Sequence, residues 1–166
     1  LKAAFYTAIE DDCIRKNPFN FALNTVLEDD TEPKAALTQE QEEKLLDFAR
    51  SDKVYQKYVD EIIILLGTGL RISEFCGLTD NLDFENRIIN VDHQLLKDSQ
   101  VGYYIETPKT KNGVRQIPMS ENVYQALKRV IKNRGKAEPI IIDGYRNFLF
   151  LNQNGYPKVA CNYTGM

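Results

Sequence analysis

Histidine and cysteine are scarce in this sequence. There is one histidine, His93, and three cysteines, Cys13, Cys76 and Cys161, spaced far apart with no Cys-x-x-Cys pair. A structural zinc site needs about four nitrogen or sulfur ligands held together, so no metal is expected, and no cofactor either. The cysteines read as reduced, mostly buried thiols, and the expected compartment is the bacterial cytoplasm. Long apolar runs are also missing. The longest, Ile62 to Leu66, falls far short of the roughly 20 residues of a membrane-spanning helix. No membrane partner is expected. The N-terminus has no basic start followed by an apolar block, so no signal peptide is expected. An initiator methionine is absent too, so the chain is expected to begin inside a longer protein. No internal repeat and no low-complexity tract is found.

An excess of positive charge is the last thing missing. The net charge is −3, which on its own argues against nucleic-acid binding. Its distribution reads differently. Residues 1–60 hold 8 basic and 13 acidic side chains, whereas residues 61–166 hold 13 basic and 11 acidic. Lys109, Lys111 and Arg115 lie close together, followed by Lys128, Arg129, Lys132, Arg134 and Lys136. The later part can therefore present a phosphate-binding surface, without being obliged to.

What is present is a soluble, globular composition, 43% hydrophobic and 27% charged. The spacing of Leu1, Ala4, Phe5, Ala8, Ile9 and Cys13 predicts a helix over 1–16, closed by Asn17-Pro18. An acidic, irregular stretch follows and reads as a linker. Thr38 and Gln41 form a capping-box signature for a helix to about Ser51, with Leu45, Leu46 and Phe48 on its buried side. A second helix is expected over 54–66, with Tyr55, Tyr58, Val59, Ile62, Ile63 and Leu66 facing inward. Gly67-Thr68-Gly69 breaks it, and a short helix restarts at Leu70. Short β-branched or aromatic runs then predict strands at 87–91, 94–96, 103–106 and 115–119. Lys109 to Gly113 reads as a hairpin turn between the last two, because Asn-Gly is a strong hairpin signal. Ser120 caps a helix over 121–133, ended by Gly135. Phe148 to Leu151 is an apolar extended segment closed by Asn154-Gly155.

The most informative stretch is Gly67-Thr68-Gly69-Leu70-Arg71-Ile72-Ser73-Glu74. It places an arginine at a helix start, directly after a glycine break. Helix-start amides lack partners and attract anions. A guanidinium beside them adds a planar fork for two phosphate oxygens. Glu74, three residues on, is in reach to brace Arg71. Taken alone, the same residues also describe an ordinary helix start with a surface ion pair.

Thr68 to Leu78 closely resembles the first arginine box of the tyrosine recombinase (phage integrase) family. The following Leu78-Thr79, Asp83-Phe84 and the strand at Arg87 continue the likeness, and Pro108 to Pro118 is similar to the family's lysine-bearing hairpin. Tyr103-Tyr104 and Ile89 to Leu96 look most like the integrases of conjugative transposons. The resemblance covers about residues 38–166. It implies that a tyrosine attacks a DNA phosphate to form a 3′-phosphotyrosyl link, without metal. Arg71 would be a catalytic arginine neutralising phosphate charge, and Glu74 its brace. Lys109 would be the general acid for the leaving 5′-oxygen, with Lys111 as the alternative. Lys111 and Arg115 would contact DNA, Arg115 touching a phosphate or pairing with an acid on the neighbouring strand.

The second active-site half that the family carries, His-x-x-Arg and the nucleophilic tyrosine, is not found. His93 precedes the lysine hairpin and reads as a strand residue without catalytic duty. Tyr163 follows no second arginine box, so no nucleophile is assigned and the 166 residues alone are expected not to cleave DNA. The expected fold is α+β: helices with a small antiparallel sheet of three strands, the N-terminal half of a recombinase catalytic domain. Residues 1–23 are expected to be the last helix of a preceding core-binding domain, 24–37 a linker, and 38–166 the catalytic part. Expected partners are double-stranded DNA at recombination sites and, for the full-length protein, three further copies in a homo-tetramer. Two rival readings are a non-catalytic DNA-binding recombinase relative and an interaction domain unrelated to DNA.

Overall fold

The structure, a computed structural model, describes residues 2–22, 35–108, 113–134 and 140–164. The chain divides into two compact units, Leu1–Leu37 and Thr38–Met166. In the first, helix α1 spans Lys2–Glu10 and stops earlier than its apolar spacing predicts. Asp12 adopts a left-handed φ of 54°. The Cys13 amide then reaches Ala8 O at 2.8 Å and the Asp12 amide reaches Ile9 O at 3.1 Å. That bond pair is a Schellman closure, and aspartate tolerates the left-handed position better than most side chains do. After the turn, the Phe19 ring meets Phe5 edge-on at 5.0 Å.

The second unit begins with helix α2, Gln39–Ser51, and its capping box forms as its sequence predicts. The Gln41 amide donates to Thr38 Oγ1 at 3.3 Å, and the Thr38 amide donates to Gln41 Oε1 at 2.9 Å. Its buried face is rotated from the expected one. Ala49 is buried and Leu46 half-buried, whereas Leu45 and Phe48 are exposed. Residues three apart share a helix face, so a line through Leu46 and Ala49 leaves Phe48 outside, against Tyr55.

The expected helix over 54–66 is split. The Asp52 carboxylate accepts the amides of Val54 and Tyr55 at 2.7 and 3.0 Å, which holds a turn there. A 3₁₀ turn, Gln56–Tyr58, then leads into helix α3, Val59–Thr68. Ile64 and Glu61 are its buried residues, not the six apolar positions expected inward. A glutamate is buried at low cost only when paired, and Lys158 Nζ donates to Glu61 Oε1 at 2.6 Å.

Gly69, with φ 61°, caps α3 and returns its amide to Leu65 O at 3.0 Å. Helix α4, Ile72–Gly77, starts three residues later. Strands β1 (Ile88–Val91), β2 (Gln94–Asp98), β3 (Gly102–Glu106) and β4 (Arg115–Pro118) follow, then helix α5, Glu121–Asn133. Ser120 caps α5 by accepting the Val123 amide. The strands do not form the expected three-stranded sheet. They make two antiparallel pairs, β1 with β4 and β2 with β3. Ile88 faces Pro118 and Val91 faces Arg115 in one, and Gln94 faces Glu106 in the other. The strands flanking Lys109 to Gly113 thus pair elsewhere and not with each other. The hairpin turn lies instead at Asp98 to Gly102, where the Asp98 carboxylate accepts the Gln100 amide at 2.7 Å. Residues 109–112 and Gly135 lie outside the described residues.

The core gathers Ile64, Phe75, Cys76, Ile89, Leu95, Val123, Leu127 and Phe148. Phe148, Leu149 and Phe150 are buried, Leu151 is half-buried, and the run supports α4. The Leu149 amide donates to Leu78 O at 2.9 Å, and Phe150 stacks on Phe75 at 3.9 Å. Of the three cysteines only Cys76 is buried. Burial, aided by the negative charge of Glu61, pushes its thiol up to about 12. Cys13 and Cys161 are exposed, contrary to expectation, because both sit in turns at the surface.

Helix α3 packs on α5 through a position that admits only hydrogen. A Cβ at Gly67 would stand 2.5 Å from Val123 Cγ2. Val123 is buried and β-branched, so its rotamer has little freedom on a helix. Gly67→Ala should therefore destabilise the chain by about 1–3 kcal/mol. Urea unfolding checks this, and an unchanged midpoint would rule it out.

Candidate active site

The loop from α3 to α4 fixes where the arginine points. Thr68 Oγ1 donates to Ile64 O at 2.5 Å, Leu70 is buried, and Arg71 sits extended at the start of α4. Leu70 anchors the turn in the core, so the next side chain is turned outward. The Arg71 side chain is 72% exposed, whereas Glu74 one helical turn on is 6% exposed. Arg71 is thus presented to solvent from a buried base.

Glu74 is the centre of the cluster. Its Oε2 accepts the Arg71 backbone amide at 2.9 Å and its Oε1 accepts Arg71 Nη1 at 3.0 Å. From β4, Arg115 grips the same carboxylate with both guanidinium nitrogens, Nη1 to Oε1 at 3.0 Å and Nη2 to Oε2 at 2.8 Å. Arg115 does pair with an acid, but the acid stands on α4 and not on a neighbouring strand. Forked Arg–carboxylate contacts are the strong, directional kind. The Arg115 guanidinium holds the Glu74 carboxyl at about 2, against an ordinary value of 4.5, and Arg71 adds to this while burial opposes it. The same contact raises Arg115 further. The amide at the helix start, expected to be free for an external anion, is taken by Glu74. What remains is a cluster of two guanidinium groups around one carboxylate, a fixed net positive charge with its exposed end at Arg71. Such a preorganised charge stabilises an anion without having to reorganise.

Lys109 and Lys111 lie outside the described residues; the ends of their segment do not. Pro108 fills the space beside Gly113, where an added Cβ would stand 2.3 Å from Pro108 Cβ. Arg115 Nη1 also reaches Gly113 O, at 3.5 Å.

Sequence reasoning missed three polar residues beside the cluster. Ser73 Oγ donates to Gln94 Oε1 at 2.8 Å, and Gln94 Nε2 donates to Glu106 Oε2 at 2.8 Å. They lie 21 and 12 residues apart in sequence, and no local spacing signals them. His93 lies in the link between β1 and β2, not in a strand. Its Nε2 stands 2.8 Å from Gly77 O, where it ties off the end of α4. Tyr163 packs edge-on against Phe75, 5.9 Å between centroids, and its hydroxyl is buried without a hydrogen-bond partner. Burial, then the charge of Glu61, pushes this phenol far above the ordinary range. Among the described residues no group of His, Cys, Asp and Glu is placed to hold a metal ion. No helix among them is long and apolar enough to cross a membrane.

A model of the phage integrase family matches residues 35–166. The transposase from transposon Tn916 of Enterococcus faecalis is 66% identical over 167 residues, covering 100% of this chain and 41% of that protein. The transposase from transposon Tn1545 of Streptococcus pneumoniae matches to the same extent. The chain thus spans 41% of the length of these relatives. Among solved structures, that of the Tn1549 transposon integrase in complex with a circular intermediate DNA superposes with a TM-score of 0.89. It is 69% identical, over 99% of this chain and 52% of that one. The XerA recombinase shares the fold alone, at a TM-score of 0.56 and 19% identity over 82% of this chain and 40% of that one.

Proposed function

Because the chain belongs to the phage integrase family, we propose that it is the arginine–lysine half of the catalytic domain of a site-specific recombinase, one that integrates and excises a mobile element. The observation carrying this is the Arg71–Glu74–Arg115 cluster, a rigid positive charge whose exposed end can meet a phosphate. Arg71 binds a non-bridging oxygen of the scissile phosphate. Glu74 and Arg115 hold it there. A tyrosine hydroxyl supplied by the longer protein loses its proton and attacks phosphorus. The P–O5′ bond breaks, leaving a 3′-phosphotyrosyl link. The ammonium of Lys109, or alternatively of Lys111, gives its proton to the departing 5′-oxygen. Reversal by another 5′-hydroxyl rejoins the strands. The partners are duplex DNA at the element ends, in the bacterial cytoplasm, and further copies of the protein in a tetramer. The DNA complexes of the Tn1549 integrase support the first of these.

The test is a nicked duplex bearing the joined ends of the encoding element, incubated with the full-length protein and with these 166 residues. The full-length protein should form a detergent-stable adduct with DNA, and the shorter chain none. Salt-sensitive binding without any adduct would instead leave a DNA-binding relative that does no chemistry.

A further inference from the structure

We propose that Gln94 is a positioning residue for Arg71, holding helix α4 against the β2–β3 pair through Ser73 and Glu106. The inference rests on the recombinase reading above. Helix α4 has six residues, and an isolated helix shorter than about 12–15 residues is marginal in water. Its place is therefore set by what it packs against. Each strand pair reaches it on its own face. Glu74 turns toward the β1–β4 pair, where Arg115 grips it with two bonds, at 3.0 and 2.8 Å. Ser73 and Gly77, four residues apart and so on one face, turn toward the β2–β3 pair. Ser73 Oγ donates to Gln94 Oε1 at 2.8 Å. At Gly77 the two backbones come close: an added Cβ would stand 3.1 Å from the Leu95 nitrogen and 3.3 Å from His93 Cδ2. His93 Nε2 lies 2.8 Å from Gly77 O. Residues 93–95 thus hold α4 near both of its ends, and Arg71 is the residue from which that helix starts.

Gln94 is the polar link in that contact, and its chemistry is selective. Its oxygen accepts the Ser73 hydroxyl, and its nitrogen donates to Glu106 Oε2, also at 2.8 Å. Gln94 and Glu106 face one another in the strand register, so the bond ties β3 into the link as well. A carboxamide is the neutral group with one acceptor and one donor end. On the apolar side of α4, Phe75 stacks on Phe150, but apolar attraction has no direction. The half-buried chain Ser73–Gln94–Glu106 supplies the direction. The Arg71 side chain is 72% exposed, so its aim depends on Glu74 and on the helix beneath both. A slip of α4 along β2 would carry Arg71 and Glu74 away together.

The experiment measures single-turnover adduct formation by the full-length protein on a nicked duplex bearing the joined element ends. Gln94→Glu sets a carboxylate against that of Glu106 and should slow adduct formation by roughly tenfold to a hundredfold, the cost of a misplaced catalytic group. Gln94→Glu combined with Glu106→Gln returns a donor to that link, now from position 106, and should restore the rate. In an Arg71→Ala background, Gln94→Glu should cost nothing further, because a residue that acts through Arg71 has no effect once Arg71 is gone. Independent effects would multiply instead. Adduct formation by Gln94→Glu at the wild-type rate would overturn the proposal. Losses that multiply in the Arg71→Ala background would also overturn it, by marking the contact as merely structural, and so would a double variant that recovers nothing. A wild-type protein that forms no adduct would instead overturn the recombinase reading on which the proposal depends.

Discussion

Replacing Arg71 with alanine in the full-length protein should slow adduct formation by about 10²–10³-fold, the usual loss for one preorganised donor to a transition-state charge. The same change should leave stability nearly untouched. The side chain is 72% exposed, and among the described residues its ion pair is to Glu74, which keeps both contacts to Arg115. Solvent-exposed pairs contribute about 0–1 kcal/mol. The Arg71 backbone amide, which closes the turn onto Glu74, is present in every variant. Arg71→Lys should recover only part of the rate, because a lysine ammonium lacks the planar fork. The two readouts are single-turnover cleavage and thermal unfolding. An alanine variant that cleaves at the wild-type rate would remove Arg71 from the site, and one that melts far below the parent would make it a structural residue.

Glu74→Ala should behave in the opposite way, losing stability first. It removes a carboxylate that is 6% exposed and strands Arg115, whose side chain is 31% exposed. Breaking a buried pair from one side costs about 3–5 kcal/mol. The partial exposure of Arg115 places the expected loss near the lower end. The pH dependence has a definite sign. The folded carboxyl titrates at about 2 and the ordinary value is 4.5. The stabilisation is therefore fully present above 4.5 and disappears as pH falls toward 2. A shift of this size corresponds to about 3 kcal/mol at 1.36 kcal/mol per unit. Asp83, Asp98 and Glu121 are also held low, by hydrogen bonds from Asn86, Gln100 and Gln125 respectively. Asp98 and Glu121 are exposed and Asp83 is half-buried, and comparison of Glu74→Gln with the parent isolates Glu74. Urea midpoints across that acid range should fall less steeply in Glu74→Gln, and parallel curves would contradict the assignment.

The sequence by itself determined the features that depend on neighbours in the chain. Thr38 and Gln41, or Ser120 and the start of α5, satisfy each other within one helical turn. Gly69 ends α3 because a left-handed residue there costs glycine little. The box from Thr68 to Leu78 was legible because Arg71 and Glu74 are one turn apart and meet whatever surrounds them. The site's other half was partly readable: Arg115 was singled out, but its partner was not, since 41 residues separate it from Glu74. Only the tertiary structure decided such long-range choices. It paired β1 with β4 and β2 with β3, where short strands of similar composition left several pairings open. It buried Glu61, because Lys158, 97 residues away, arrives to neutralise it. It turned Phe48 outward, because the α2 stripe is set by what packs against Ala49. It also joined Ser73, Gln94 and Glu106, three residues with no shared periodicity, into one hydrogen-bonded chain. Local signals report the energy of a single turn of chain. Sheet pairing and buried charge are settled by groups that meet only once the chain has closed on itself.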